Sequence, residues 1–365
     1  MRVLQIIDSL DAGGAERMAI NFHNHLNELN EIESFLISTR KKGQLLSVIK
    51  FPDKYCFLNR TKKGLLYSLL SLNKFLEEKN IQIIHVHGTS IFFVGLLKIL
   101  KRLERIRIIW HDHNGNSPNI QGLRKIILFK ILKKIEKVLV VSNYQKTFYE
   151  INFKADFIQY LPNYSSVKKK YKESCEDDVF RIVLTANLRY PKNHLLALRA
   201  LNILVKKCYK MHLTFIGRIT NDDYFIGVEN FVFLNKLDDY VTFLGEVNNT
   251  QEHLHKFDLG ILTSFYEGFP VSLIEYGIFG LPVVATDVGE CSSIIGGAGT
   301  IISSNNLEEL VNAIEKYYID RSLCDVHGRI FRERVMQEFS RDIVLKKLVN
   351  VYSEVMENGA TNNTK

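Results

Sequence analysis

Apolar and polar positions follow two alternating rhythms along this chain. Short apolar-rich runs, the pattern of strands buried on both faces, recur at Val3–Ile7, Ser34–Ser38, Ile81–Val86, Ile106–Trp110 and Lys137–Val141. Between them apolar residues return every three or four positions. Ala15, Met18, Ala19, Phe22, Leu26 and Leu29 form one such series, and Leu65, Leu66, Leu69, Leu72, Phe75 and Leu76 another. That spacing predicts amphipathic helices. The strand rhythm stops at Ser165–Asp178, which reads SSVKKKYKESCEDD and has no core positions. It resumes at Phe180–Ala186, His212–Ile216, Val241–Leu244, Asp258–Thr263 and Pro282–Thr286, and a helical pattern surrounds Ile343–Val355. Alternating strands and helices predict parallel sheets covered on both faces. The expectation is an α/β protein of two Rossmann-like domains facing across a cleft. Their predicted bounds are 1–164 and 179–340, with a linker at 165–178. A helix at 341–358 is expected to pack back toward the first domain, followed by a disordered tail at 359–365.

A length of 365 residues with 46% hydrophobic content suits two cores rather than one. Arg2 follows Met1 at once and the next apolar run is short, which predicts no cleavable signal peptide. The apolar stretch Ile91–Leu100 is broken by Lys98 and is too short to span a bilayer. Cys56, Cys175, Cys208, Cys291 and Cys324 are scattered, as expected of a reducing compartment. Charge changes the picture more. Residues 1–170 carry 28 Lys/Arg against 14 Asp/Glu, a net +14, while the remainder carries 20 against 26, a net −6. A basic first half predicts an anionic partner.

Ligands of doubly wound sheets bind beyond the carboxyl ends of the strands, so residues just after each apolar run are the candidates. DSLDAGGAER (Asp8–Arg17) joins the first strand to the first helix. Gly13 and Gly14 let backbone approach a ligand, and the helix start offers free N–H groups to a diphosphate. Four histidines end two strands: His85 and His87 in IHVHG, His111 and His113 in HDHNG. They could bind sugar hydroxyls and an acceptor, or, with Asp112, a metal. ANLRYPKNH (Ala186–His194) supplies Asn187, Arg189 and Lys192 near a leaving diphosphate. In SFYEGFPVSLIEYGIFGLPVVAT (Ser264–Thr286), Pro270 fits the first turn of a helix whose N–H groups can meet sugar or phosphate. Glu267 can meet the sugar and Glu275 the ribose hydroxyls.

From GGAER to GLPVVAT the sequence resembles the fourth family of retaining glycosyltransferases, which have the GT-B fold. EGFPVSLIE, with seven residues between Glu267 and Glu275, carries the resemblance most specifically. IIHVHG, VVSNYQK and LPN stand in the expected order. The resemblance implies that Gly13 and Gly14 touch donor phosphate or the transferred sugar, and that Arg189 and Lys192 hold the diphosphate. Glu267 and the backbone of Gly268, Phe269, Pro270 and Val271 would grip the donor sugar, and Glu275 the ribose. Gly14, His87, His111 and His113 would serve the acceptor, with His113, Glu267, Arg189 and Lys192 as the catalytic set. Two departures stand out. The family's arginine, five residues before the lysine, is replaced here by Asn187, and the loop after the last motif reads Asp287-Val288-Gly289-Glu290-Cys291.

The expected activity is retaining, metal-independent transfer of a hexosyl-type sugar, without cofactor, from a UDP- or GDP-linked donor. The acceptor is a glycan or lipid-linked molecule in capsule, exopolysaccharide or lipopolysaccharide synthesis. The expected location is the cytoplasm, peripheral to the inner face of the plasma membrane. Lys98, Lys101, Arg102, Arg105 and Arg107, then Arg124, Lys125, Lys130, Lys133, Lys134 and Lys137, are the expected contacts with anionic lipid. Two rival classes are a metal-dependent hydrolase built on His85, His87, His111, Asp112 and His113, and a nucleic-acid-binding protein. The second lacks a binding signature, so no nucleic-acid partner is expected.

Overall fold

The computed structural model describes residues 1–361 apart from 12, 100–102, 104, 114–119, 155–156, 167–177 and 248, with the side chains of 1–358. Lys101, Arg102, Asn114, Gly115, most of the expected linker and the expected tail lie outside the described residues. Two compact units divide the chain, one of residues 1–163 with 341–365, the other of residues 164–340.

The first unit is built from strands β1 (Arg2–Ser9), β2 (Glu33–Lys41), β3 (Tyr55–Phe57), β4 (Ile83–His87), β5 (Arg107–Asp112), β6 (Lys137–Val140) and β7 (Ile158–Tyr160). Its helices are α1 (Gly14–Leu26), α2 (Arg60–Lys63), α3 (Leu65–Glu78), α4 (Ile91–Ile99), α5 (Gly122–Leu132) and α6 (Asn143–Asn152). The parallel sheet runs β3-β2-β1-β4-β5-β6-β7, so strand order reverses between β1 and β4. Alternation along the strands divides two faces. Leu4, Ile6, Ile84, Val86, Ile108 and Trp110 form one core with residues of α3, α4, α5 and α6. The intervening residues face the other way, where Ile7 and Leu36 pack with Ala19 and Ile20 of α1.

The second unit repeats this plan. Its strands are β8 (Phe180–Thr185), β9 (Met211–Ile216), β10 (Val241–Gly245), β11 (Leu259–Leu262), β12 (Val283–Thr286) and β13 (Thr300–Ile302), in the parallel order β10-β9-β8-β11-β12-β13. Its helices are α7 (His194–Lys206), α8 (Asp223–Leu234), α9 (Gln251–Leu254), α10 (Val271–Phe279), α11 (Cys291–Ile295), α12 (Leu307–Ile319) and α13 (Arg321–Glu338). Strand order reverses between β8 and β11. The final helix, α14 (Arg341–Thr361), runs longer than the predicted pattern and belongs to the first unit, where the Tyr352 hydroxyl meets His85. No helix among the described residues is long and apolar enough to cross a membrane.

Candidate active site

Each unit brings its motif residues to the carboxyl ends of its strands, at the point where strand order reverses. In the second unit that point lies between β8 and β11. Lys192, in the loop after β8, places Nζ 2.6 and 2.8 Å from the two oxygens of Glu267, in the loop after β11. The Ser264 hydroxyl donates to Glu267 Oε1 at 2.6 Å. The loops themselves are stitched together: Phe265 N–H donates to Pro191 O, and the Thr263 hydroxyl to the carbonyls of Lys192 and Asn193. Glu267 keeps 8% of its side chain exposed and Lys192 keeps 22%, so the pair is shielded yet reachable.

The loop after β12 backs this site. Glu290 N–H donates to Gly268 O at 3.2 Å, and a Cβ on Gly289 would lie 2.3 Å from Glu267 O. That is the structural place of the Asp287–Cys291 departure. Farther along α10, buried Glu275 accepts from the Ser165 hydroxyl at 3.1 Å and the Thr250 hydroxyl at 3.0 Å.

Several expectations are corrected here. Pro270 is the cap before α10 and not part of its first turn. The Phe269 ring is buried against Phe339, in keeping with a role expected of its backbone alone. Asn187 Oδ1 accepts from Arg218 N–H at 3.0 Å, which ties the loops after β8 and β9 together. Arg189 is exposed and its guanidinium has no partner among the described residues. Half-buried Arg218, adjacent to Asn187, is a cation that sequence reasoning missed, as it missed Ser165, Thr250 and Ser264. Ser264 was the most legible of these, three residues before Glu267.

In the first unit, Asp8 is the next-to-last residue of β1. Its carboxylate accepts from the hydroxyls of Thr39 and Thr89 and from Arg60. Gly13 caps α1, and a Cβ there would lie 2.2 Å from the Glu16 carboxylate. The histidines share the α1 face with Gln5 of β1. His87 Nε2 must donate to Gln5 Oε1 (2.8 Å), which leaves Nδ1 to accept from His113 Nε2 (2.9 Å). Gln5 Nε2 donates to the Tyr352 hydroxyl, which lies 2.7 Å from His85 Nδ1. Burial holds His85, His87 and His111 well below the usual histidine range, with neighbouring histidines adding to the effect, and burial pushes His113 down to about 3. The set is a neutral stack.

The same geometry argues against a metal shell. Nitrogens of His85, His87 and His111 come within 4.8 Å of one another. Their rings, however, lie side by side, 10° from parallel for His85 and His111 and 28° for His85 and His87, so the in-plane lone pairs do not converge. Both nitrogens of His87 are already bonded. Asp112 faces the opposite side of the sheet and accepts from the Tyr149 hydroxyl. His87 and His111 are wholly buried, which corrects their expected contact with acceptor, while His113, just past β5, retains exposed surface.

Comparison with known proteins follows the same division. Residues 12–163 match the model described as Glycosyltransferase Family 4, and residues 179–320 that described as Glycosyl transferases group 1. The O-antigen biosynthesis glycosyltransferase WbnH of Escherichia coli is 25% identical, over 96% of this chain and 98% of its own. A glycosyltransferase of Rickettsia africae superposes with a TM-score of 0.82 at 19% identity, covering 98% of this chain and 99% of that one. Alr3699/HepE of Anabaena, solved with UDP-glucose, gives 0.81 at 16% identity, over 97% and 100% of the two chains. These likenesses establish the GT-B fold.

Proposed function

We propose that the chain, whose two halves match the models described as Glycosyltransferase Family 4 and Glycosyl transferases group 1, is a retaining, metal-independent glycosyltransferase of surface-polysaccharide synthesis. It takes a hexosyl-type sugar from a UDP- or GDP-linked donor and places it on a glycan or lipid-linked acceptor. The observation that carries this reading is the Lys192–Glu267 pair at the strand reversal of the second unit. A leaving diphosphate gains negative charge as the bond from C1 to phosphate oxygen breaks, and a fixed ammonium offsets that charge. Glu267, relieved of Lys192, accepts from donor-sugar hydroxyls, and Glu275 from the ribose. The uridine arm draws support from the Anabaena protein, whose structure holds UDP-glucose.

Retention by front-face attack fits the carboxylate's surroundings. With Lys192 turned to the diphosphate, Glu267 still accepts from the Ser264 hydroxyl and is assigned to donor-sugar hydroxyls, a poor arrangement for a covalent nucleophile. The acceptor oxygen attacks C1 on the face the phosphate leaves, and its proton passes to the departing phosphate oxygen. The acceptor is assigned to the first unit, where His113 is the one half-buried member of an otherwise buried histidine stack. The proposed location is the cytoplasmic face of the plasma membrane, a reading supported by the net +14 charge of residues 1–170, which favours an anionic surface.

A panel of nucleotide-sugars tested by thermal shift checks the reading. A true donor at a hundredfold excess over its Kd stabilises the fold by about 2.7 kcal/mol, a rise of a few degrees. With that donor, transfer persists in EDTA and the product keeps the donor's anomeric configuration. A panel without any stabilising UDP- or GDP-sugar contradicts the proposal, and an inverted product contradicts the mechanism.

A further inference from the structure

The membrane reading says that the first unit meets anionic lipid; it does not say where. We propose that the contact is made by the outer sides of α3 and α5, two members of the helical layer of α3, α4, α5 and α6, and that the occupant is an anionic bilayer. This inference rests on the peripheral-membrane reading above and deepens it.

Both helices lie on the same side of the sheet. Leu69, Leu72 and Leu76 of α3 and Leu128, Ile131 and Leu132 of α5 enter one core with the same strand residues. The sides turned away from that core are where soluble helices carry polar residues. Here they carry large apolar ones. Leu66 is 72% exposed and Leu70 59%, beside exposed Leu65 and Tyr67. Leu123 is 70% exposed and Ile126 55%.

Cations surround these side chains without acids among them. Residues 60–76 and 121–135 contain no Asp or Glu. Lys62 and Lys63 precede α3 and are exposed, and Lys63 Nζ lies 4.8 Å above the Tyr67 ring, its stem along apolar surface and its charge outward. Arg124, Lys130, Lys133 and Lys134 are exposed on and just beyond α5. Apolar side chains interleaved with lysines suit a bilayer interface, where the first enter the acyl boundary and the second meet phosphate.

The other basic stretch is differently disposed. Lys98 is drawn inward to Glu136 at 3.1 Å and to the carbonyls of Leu103 and Ile106. Arg107 also neighbours Glu136, and Lys137 pairs with Glu354 at 2.8 Å. Lys98 and Arg107 of that stretch, and Lys137 of the α5 set, are thus tied to acids at the sheet's amino edge, which leaves the exposed cations of α5 and, in addition, those before α3 to meet lipid.

Flotation of the full chain with vesicles tests the assignment, using phosphatidylcholine alone or mixed equally with phosphatidylglycerol. The wild type floats with the anionic vesicles, and salt weakens this. Leu66→Glu/Leu70→Glu and Leu123→Glu/Ile126→Glu, all at exposed sites, each lower partitioning at least about tenfold. Arg105→Glu, in the other stretch, changes it less than about twofold. Unchanged circular-dichroism melting verifies that the variants fold. Wild type that floats with variants that float equally well overturns the face assignment but leaves the membrane reading. Loss of flotation in Arg105→Glu alone does the same. Wild type that floats with neither vesicle removes both. If the wild type instead self-associates and the α3 and α5 variants abolish that, the face is a protein interface and the proposal fails.

Discussion

His113, His87 and His111 show how one residue type takes different work from small differences in position. Alternation along β4 and β5 puts His85, His87 and His111 on one face and seals them beneath α1, where Phe22 packs against the rings. Only His113, beyond the strand, reaches the surface. Four histidines at two strand ends were visible in the sequence; which of them were sealed was not. Tyr352 and Gln5, which complete the chain of hydrogen bonds, sit far from the motif and carried no local signal. The stack has a consequence for stability. The folded pKa values of these histidines lie below the unfolded value of about 6.5, so each is neutral in the fold. Their contribution is fully present above about pH 6.5 and is lost as pH falls, because the unfolded chain binds protons that the fold refuses. Each costs up to about 1.4 kcal/mol per pH unit below that point. Trp110, the single tryptophan, is buried in β5 and reports on this unit. Its fluorescence should show the urea midpoint falling steadily from about pH 7 to about pH 5. A flat midpoint over that window would contradict a neutral buried stack.

At the scale of elements, the central strands announced themselves as short apolar-rich runs, because both of their faces are covered. The strands that sequence reasoning missed are Tyr55–Phe57, Ile158–Tyr160 and Thr300–Ile302, three residues each, all at sheet edges. An edge strand that short is paired on one side and need bury little, so it leaves no periodic trace. The loop after β12 was the other blind spot. Its sequence departed from the family pattern, but its packing on the Glu267–Gly268 turn is a matter of backbone. Gly289 adopts φ 55°, and a Cβ there would collide with Glu267 O. Gly289→Ala should therefore displace the turn that carries Glu267 and weaken donor binding at least tenfold, on the order of one lost polar contact. Isothermal titration with the nucleotide-sugar found above measures it. Affinity equal to wild type would mean that the loop after β12 does not position the site.

Over the whole molecule, two sheets of the same plan carry different chemistry because their reversal points carry different residues. The first unit offers a neutral imidazole on the α1 face of its sheet and a basic, partly apolar surface on the other; the second offers an ammonium and two carboxylates. Lys192 and Glu267 were each named from sequence, 75 positions apart, yet their pairing is a product of the β8–β11 adjacency, which no local pattern encodes. If this pair is where the donor is activated, removing its ammonium must abolish transfer while leaving the fold and its other contacts in place. The direct measurement is the release of nucleoside diphosphate from the stabilising nucleotide-sugar, with a glycolipid extract as acceptor, by wild type and Lys192→Ala. The account predicts at least a 10²-fold fall in rate, of the order seen for a lost transition-state contact, with melting unchanged. Near wild-type release by Lys192→Ala would contradict it.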